Sequence, residues 1–321
     1  MWAKFFRSPS AMLSRIERWD TPDGDFLEVI RTGSQAGKPT LLLLHGLEGG
    51  ARSHYAAAML LAAERRGWQA NLLVFRTCGV EMNRARRSYH SGETSDTDFV
   101  VRRLLDERPD VPLVLAGVSL GGNVLLKWLG ECGDSITGRV RAAAAVSVPF
   151  DLARSCAQMQ VGFARVYGWN FLKTLKQKAC EKLEQFPDLA DRQRILAART
   201  LWEFDDAFTA IVHGFRDAAE YYARSSSIRY LARIRVPTLL LSSRDDPFHP
   251  PAVLDDVARI ARNNSALHLE FVGRGGHVGF IEGRFPGRAS WYAERRVVEF
   301  CDEMISADEP KASMERLVSI R

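Results

Sequence analysis

Pro112-Leu113-Val114-Leu115-Ala116-Gly117-Val118-Ser119-Leu120-Gly121-Gly122-Asn123-Val124-Leu125-Leu126-Lys127-Trp128-Leu129 reads as a buried strand, a tight turn and a helix in immediate succession. Leu113–Ala116 is apolar at every position, as in a strand covered on both faces. From Gly122 to Leu129 the pattern is helical. Between them lies Gly117-Val118-Ser119-Leu120-Gly121, a G-x-S-x-G. Glycines two residues before and after the serine leave room for a turn sharp enough to push its hydroxyl out over the sheet. The turn also points helix N–H groups at whatever the serine attacks. The plainer alternative is a strand–helix turn whose serine only caps the helix.

Working outward, further strands are expected at Phe26–Ile30, Thr40–Leu44, Asn71–Phe75, Ala142–Val148, Thr238–Ser242 and Leu267–Val272. Helical stretches such as Tyr55–Arg66 and Asp96–Glu107 alternate with them. Strand, helix, strand in regular order predicts a mostly parallel, doubly wound α/β sheet. Pro22-Asp23-Gly24 reads as a turn joining two antiparallel strands at the sheet edge. From Asp151 to about Ser227 no strand signal occurs. Helices are expected at Leu152–Tyr167, Asn170–Phe186, Leu189–Trp202 and Asp205–Ala223. A crossover between neighbouring parallel strands needs only one helix, so this surplus predicts an inserted helical cap. The expected division is a core of residues 1–150 and 228–321 with a cap at 151–227.

A serine nucleophile needs a base, and the base needs an orienting acid. Of the seven histidines, His268 alternates with Glu270 on a strand and is expected in solvent. His45 and His54 flank an early loop, and His90 and His213 have no acid at a strand end. His249 is only three residues from its nearest acids. His277 follows the last strand across Gly273-Arg274-Gly275-Gly276, a loop able to bring a side chain back over the sheet. Strand Thr238–Ser242 is followed by Asp245 and Asp246, at the end where open α/β sheets place their sites. Asp246-Pro247-Phe248-His249-Pro250 fits a D-x-x-x-P pattern and Asp245 misses it by one, so Asp246 is the expected acid. The order Ser119, Asp246, His277 is that of α/β hydrolases. The Gly-rich loop His45-Gly46-Leu47-Glu48-Gly49-Gly50 after strand Thr40–Leu44 is expected to offer the Leu47 N–H, with that of Leu120, to an oxyanion. It is not a nucleotide loop: G-x-G-x-x-G and G-x-x-x-x-G-K-[ST] are both absent, and strand Asn71–Phe75 ends in Arg76 rather than an acid for a ribose.

Taken together, HGLEGG (45–50), SHY (53–55), FRTCGVEMN (75–83), YHSGETSD (89–96), GVSLGGNVL (117–125), SVPFDL (147–152), EFDDAFTA (203–210), VPTLLLSSRDDPFHP (236–250) and GGHVGF (275–280) resemble the type-4 group of α/β hydrolases. These are the YheT-like esterases of bacteria and their eukaryotic abhydrolase-domain lipase relatives. The likeness spans about Pro22 to Phe300. It implies an α/β-hydrolase fold and carboxylic-ester hydrolysis, with Ser119 as nucleophile, His277 as base and Asp246 as its partner. The substrates it implies are short-chain esters, acylglycerols or phospholipids. The group usually has glycine where this chain has Thr77, a departure that touches the local loop. An alcohol O-acyltransferase using the same acyl-enzyme is the alternative enzyme. A catalytically silent binding protein on this fold is the alternative of another class.

Composition narrows the rest. The chain has 321 residues, of which 46% are hydrophobic, enough for a large core. Its net charge of +5 is mild, so no nucleic-acid partner is expected. The densest basic cluster, Arg84, Arg86 and Arg87, reads as a solvated loop rather than a phosphate site. No apolar run approaches the roughly 20 residues of a membrane span. The N-terminus lacks a signal-peptide core, and its Trp2, Lys4, Phe5, Phe6 and Arg7 allow at most peripheral membrane contact. The five cysteines include no C-x-x-C and read as reduced thiols, hence a cytoplasmic protein. The chemistry requires no metal or organic cofactor, and the partner is a small-molecule ester or lipid substrate. Phe163, Tyr167, Trp169, Phe171 and Phe208 of the cap are candidates for the pocket wall.

Overall fold

The computed structural model describes residues 14–33, 35–282 and 290–307. Eight strands make one sheet: β1 (Ser14–Asp20), β2 (Phe26–Thr32), β3 (Thr40–Leu44), β4 (Gln69–Val74), β5 (Leu113–Val118), β6 (Val140–Val146), β7 (Thr238–Ser243) and β8 (Leu267–Val272). Their spatial order is β1-β2-β4-β3-β5-β6-β7-β8. β1 and β2 form an antiparallel hairpin across the Pro22-Asp23-Gly24 turn, and β2 lies antiparallel to β4. From β4 to β8 all neighbours are parallel. In this sheet β1 has no range of its own in the sequence-based set; it is largely exposed at the edge, so it carries little apolar signal. A separate two-stranded ribbon, Ile281–Glu282 with Ser290–Trp291, is also absent from that set. The N-terminal aromatic and basic residues 2–7, and nearly all of the polar tail after Ser306, lie outside the described residues.

The helices that follow the central strands are α1 (His54–Glu64), α2 (Ser95–Glu107) and α3 (Leu120–Cys132). Between β6 and β7 come α4 (Leu152–Gln158), α5 (Ala164–Gln185), α6 (Arg192–Ala197), α7 (Leu201–Phe204), a π-helical turn (Asp205–Thr209), α8 (Ala210–Val212) and α9 (Ala218–Ser225). The segment is helical as expected, but its long expected helices are cut up or shifted. The first ends at Gln158, before Gly162 at φ +54°. Its anticipated end is instead the start of α5, because Gly168 stays helical: a Cβ there would sit 3.1 Å from Met159 O, so the glycine permits close packing. Asp191, Thr200 and Asp217 each accept a backbone N–H at a new helix start. These caps divide what periodicity alone joins.

The chain then forms α10 (Ala252–Ala261) and, after β8, α11 (Tyr292–Ala307). Successive strand residues feed opposite cores. Leu42 and Leu44 pack with Val100, Val124 and Val253 from α2, α3 and α10. Leu41 and Leu43 pack with Met59 and Val297 from α1 and α11. The sheet is thus covered on both faces, the reason its central strands are apolar throughout. Among the described residues no helix is long and apolar enough to cross a membrane.

One charged knot ties the sheet edge to the loops near Ser119. Arg76, the second residue after β4, is fully buried. It donates to Asp96 at 2.7 and 2.8 Å and to Asp25 at 2.6 Å. Burial opposes its charge, but Asp96, Asp23 and Asp25 outweigh that and keep the guanidinium charged. The basic cluster nearby is not simply solvated. Arg87 pairs with Asp23, Glu93 and Asp96, and Arg86 with Asp188. Acids from distant parts of the sequence converge on the loop. Arg76→Met should therefore strand buried carboxylates and lower stability by about 3–5 kcal/mol, measured by urea unfolding. A loss below about 1 kcal/mol would show the knot to be replaceable.

Candidate active site

The turn between β5 and α3 is as tight as the glycine spacing requires. Ser119 sits at φ +54°, ψ −120°, a conformation a non-glycine residue holds only under surrounding constraint. Its N–H donates to Val146 O at 2.8 Å, and its carbonyl accepts from Asn123 N at 3.1 Å. A Cβ at Gly117 would fall 2.5 Å from Gly121 O, and one at Gly121 would fall 2.4 Å from Leu44 O and His45 O. Neither glycine can be replaced without moving backbone. The close approach at Gly121 also seats the turn against the end of β3.

The loop after β3 is held from below by His45. This ring is wholly buried, which pushes its pKa down to about 4, so it is neutral. Its Nε2 accepts from Phe75 N at 3.1 Å, leaving Nδ1–H to donate to Gly46 O at 2.8 Å. Gly46 N–H donates to Tyr55 Oη at 2.7 Å. A Cβ on Gly46 would come 3.2 Å from Ser119 Cβ, so this loop lies directly beside the serine. Leu47 follows, and Leu120 is the first residue of α3. Among the described residues neither N–H donates to a protein acceptor.

His277 and Asp246 complete the group. His277 Nδ1–H donates to Asp246 Oδ2 at 2.8 Å, so Nε2 carries the lone pair. The Ser119 hydroxyl donates to that nitrogen at 3.1 Å. Asp246 is buried, and its Oδ1 accepts from Phe248 N at 2.9 Å. Asp245 points elsewhere: its Oδ1 accepts from Gly275 N and Gly276 N, both at 2.8 Å, fixing the loop that carries His277. His249 also approaches Asp246, at 3.6 Å, too far for a hydrogen bond. Burial holds its pKa down despite that carboxylate. The arrangement can draw a proton from Ser119 onto His277 while Asp246 balances the imidazolium.

The structure adds groups that motif reading missed. Lys178, from α5, donates to Glu48 Oε1 at 2.9 Å and contacts Cys78 Sγ at 3.3 Å. Tyr89 Oη donates to Glu48 Oε1 at 2.7 Å and accepts from Glu48 N. Burial works against the Lys178 charge, but Cys78 and Glu48 outweigh it and raise its pKa. Burial pushes the Cys78 thiol up to about 11, so it is no nucleophile. Asn123 donates to Ser91 O and Ser225 O, both at 2.8 Å, and accepts from Ser227 N, tying α3 to both flanks of the site. Thr77, the departure from the group's glycine, sits at φ +64°. Asn83 Oδ1 accepts its N–H at 2.7 Å. Among the described residues, no cluster of three or more His, Cys, Asp or Glu side chains is placed to hold a metal ion.

A cavity of about 120 Å³ reaches Leu47 and Leu120 from beneath the helices between β6 and β7. Its walls include Met159, Leu175 and Phe204 but none of the five aromatics expected from sequence. Phe163 and Trp169 are 63% and 66% exposed, and Phe208 is packed inside the helical segment. Tyr167 and Phe171 instead pack on Phe248, whose ring lies 4.1 Å from that of His277. A larger groove, about 880 Å³, runs beside α2 and the β1–β2 turn. Its walls are mostly charged. Neither lining includes Ser119, Asp246 or His277, but the smaller cavity reaches Leu47 and Leu120 beside the serine.

Residues 39–284 match the family described as the alpha/beta hydrolase fold. The chain belongs to this family. A protein named "Putative esterase YheT", from Escherichia coli, is 36% identical over 300 residues, covering 92% of this chain and 87% of that one. Phospholipase ABHD3 of Mus musculus is 32% identical over 275 residues, covering 84% of this chain but 64% of the phospholipase. The chain thus spans somewhat under two thirds of that relative. An esterase from Pyrococcus furiosus, Pf2001, shares the fold at TM-score 0.60 and 18% identity, with 91% of this chain and 93% of that one covered. The α/β-hydrolase fold accounts for the mostly parallel sheet flanked by helices.

Proposed function

We propose that this α/β-hydrolase-fold protein is a serine carboxylic-ester hydrolase of the esterase and lipase type. It cleaves short-chain or acylglycerol-type esters. Ser119 Oγ attacks the ester carbonyl carbon as its proton passes to His277 Nε2, and Asp246 stabilises the imidazolium. The Leu47 and Leu120 N–H groups hold the oxyanion. His277 then gives its proton to the leaving alcohol. Water, deprotonated by His277, attacks the acyl-enzyme and releases acid and free Ser119. Residues 151–227 act as a cap over a core of residues 1–150 and 228–321. The observation that carries the reading is the unbroken Ser119–His277–Asp246 hydrogen-bond chain on a strained turn.

The test is a series of p-nitrophenyl esters from acetate to palmitate, with fluorophosphonate labelling of the protein. Turnover of the shorter members and labelling at Ser119 are expected; absence of both in folded protein would overturn the reading. Because Trp169 is exposed, Trp169→Ala should leave the chain-length profile unchanged. Met159→Ala opens the cavity wall and should shift the profile toward bulkier esters. The opposite pattern would put the substrate outside this cavity.

A further inference from the structure

The cavity beneath the helical segment is not a plain hydrocarbon slot. Asp205, Thr209, Tyr222 and Ser155 contribute to its wall beside the apolar side chains. Asp205 opens the π-helical turn, whose defining bond runs from Ala210 N to Asp205 O. Such turns recur at functional sites. Two hydroxyls already donate to the Asp205 carboxylate: Thr209 Oγ to Oδ1 and Tyr222 Oη to Oδ2, each at 2.6 Å. A carboxylate has about four acceptor positions, so capacity remains. Asp205 as a whole is half-buried and contributes to the cavity wall. Burial pushes its pKa up to about 6, so it is still charged above neutral pH.

Ser155 supplies the second, independent observation. It is 6% exposed, and among the described residues its Oγ has no hydrogen-bond partner. A buried hydroxyl left unpaired costs about 1–3 kcal/mol, and an apolar chain in the cavity would leave that cost in place. The cavity therefore presents an acceptor with spare capacity and a hydroxyl free to donate. The neutral group that answers both is another hydroxyl, which donates and accepts through one atom. At about 120 Å³ there is room for about four water-sized groups.

We infer that this cavity binds a short, hydroxyl-bearing part of the ester, whose O–H donates to Asp205 and accepts from Ser155, so that hydroxylated esters are the preferred substrate class. The inference rests on the reading of Ser119 as an ester-cleaving nucleophile and adds Asp205 and Ser155 as specificity-determining residues.

Matched ester pairs test it. Hydroxylation on the alcohol side is probed by 2-hydroxyethyl butyrate against ethyl butyrate. Hydroxylation on the acyl side is probed by ethyl 3-hydroxybutyrate against ethyl butyrate. Acid release is followed by pH-stat. Wild type should favour the hydroxylated member of at least one pair by about tenfold or more in kcat/KM. Asp205→Asn and Ser155→Ala should each bring that ratio within about twofold of one. Each ratio compares two esters on the same enzyme, so general damage cancels. Ser155→Ala removes no protein hydrogen bond and keeps the test open if Asp205→Asn does not fold. A wild-type ratio near one in both pairs, or a ratio that Ser155→Ala leaves intact, overturns the inference while esterase activity stands. Failure to cleave any of the three esters or p-nitrophenyl butyrate overturns the esterase reading, and this inference with it.

Discussion

Ser119→Ala is expected to lower ester turnover by about 10⁴- to 10⁶-fold and to abolish fluorophosphonate labelling, with the melting temperature little changed. The size follows from what remains. On the proposed mechanism, removing the hydroxyl abolishes the acyl-enzyme and leaves only binding and the oxyanion stabilisation assigned to Leu47 and Leu120. The unchanged fold follows from the local structure. The side chain's hydrogen bond is to His277, whereas the turn is fixed by Ser119 N–H on Val146 O and by the packing of Gly117 and Gly121. Alanine keeps the Cβ and those backbone bonds. Progress curves for p-nitrophenyl butyrate with variant free of wild-type carry-over decide the matter. A loss of less than about tenfold would remove Ser119 from the nucleophile's role.

The parallel sheet was legible because burial on both faces leaves a simple trace. β3 occupies the very residues expected, and the other interior strands differ by one or two at their ends; β8, at the far edge, also matches its expected range although it is only partly buried. β1 is anticipated only through the Pro22-Asp23-Gly24 turn and not in its range, because an exposed edge strand has no apolar period. The helices of the insertion were legible as helices but not in their lengths. Their limits depend on capping by Asp191, Thr200 and Asp217, which are ordinary surface residues in sequence. Motif spacing brought forward Ser119, Asp246 and His277 because their chemistry demands fixed residue types beside strand ends. Lys178 and Asp205 had no such mark. Each lies in a helical pattern where a charge reads as a solvated face. Only the tertiary fold brings Lys178 to Glu48, 130 residues away, and Asp205 to Tyr222 across the turn. None of the five aromatics expected in the pocket wall lines the cavity at Leu47 and Leu120, because residue type does not tell which side of a helix faces a cavity: Phe163 and Trp169 point to solvent, Phe208 packs among the helices, and Tyr167 and Phe171 pack on Phe248.

Two adjacent acids stand past the end of β7, and replacing each with asparagine should have very different consequences. Asp246 holds Phe248 N–H on Oδ1 and His277 Nδ1–H on Oδ2. In Asp246→Asn the amide oxygen can keep the Phe248 bond, which turns the NH₂ toward the imidazole. Nδ1 must then accept, so the ring proton moves to Nε2. Nε2 can no longer take the Ser119 proton, and turnover should fall by about 10⁴-fold with the shape preserved. Asp245 uses Oδ1 alone for the two N–H groups of Gly275 and Gly276. Asparagine retains that oxygen, so the loop carrying His277 loses a charge-assisted bond but not its geometry. Asp245→Asn should therefore cost about tenfold or less. Steady-state kinetics of both variants at pH 7–8, on one ester, separate these outcomes. If Asp245→Asn is the crippled variant, the acid that orients His277 is the neighbour of the one assigned. If neither loses more than about tenfold, His277 is positioned by its loop and by Phe248, and the carboxylate is dispensable.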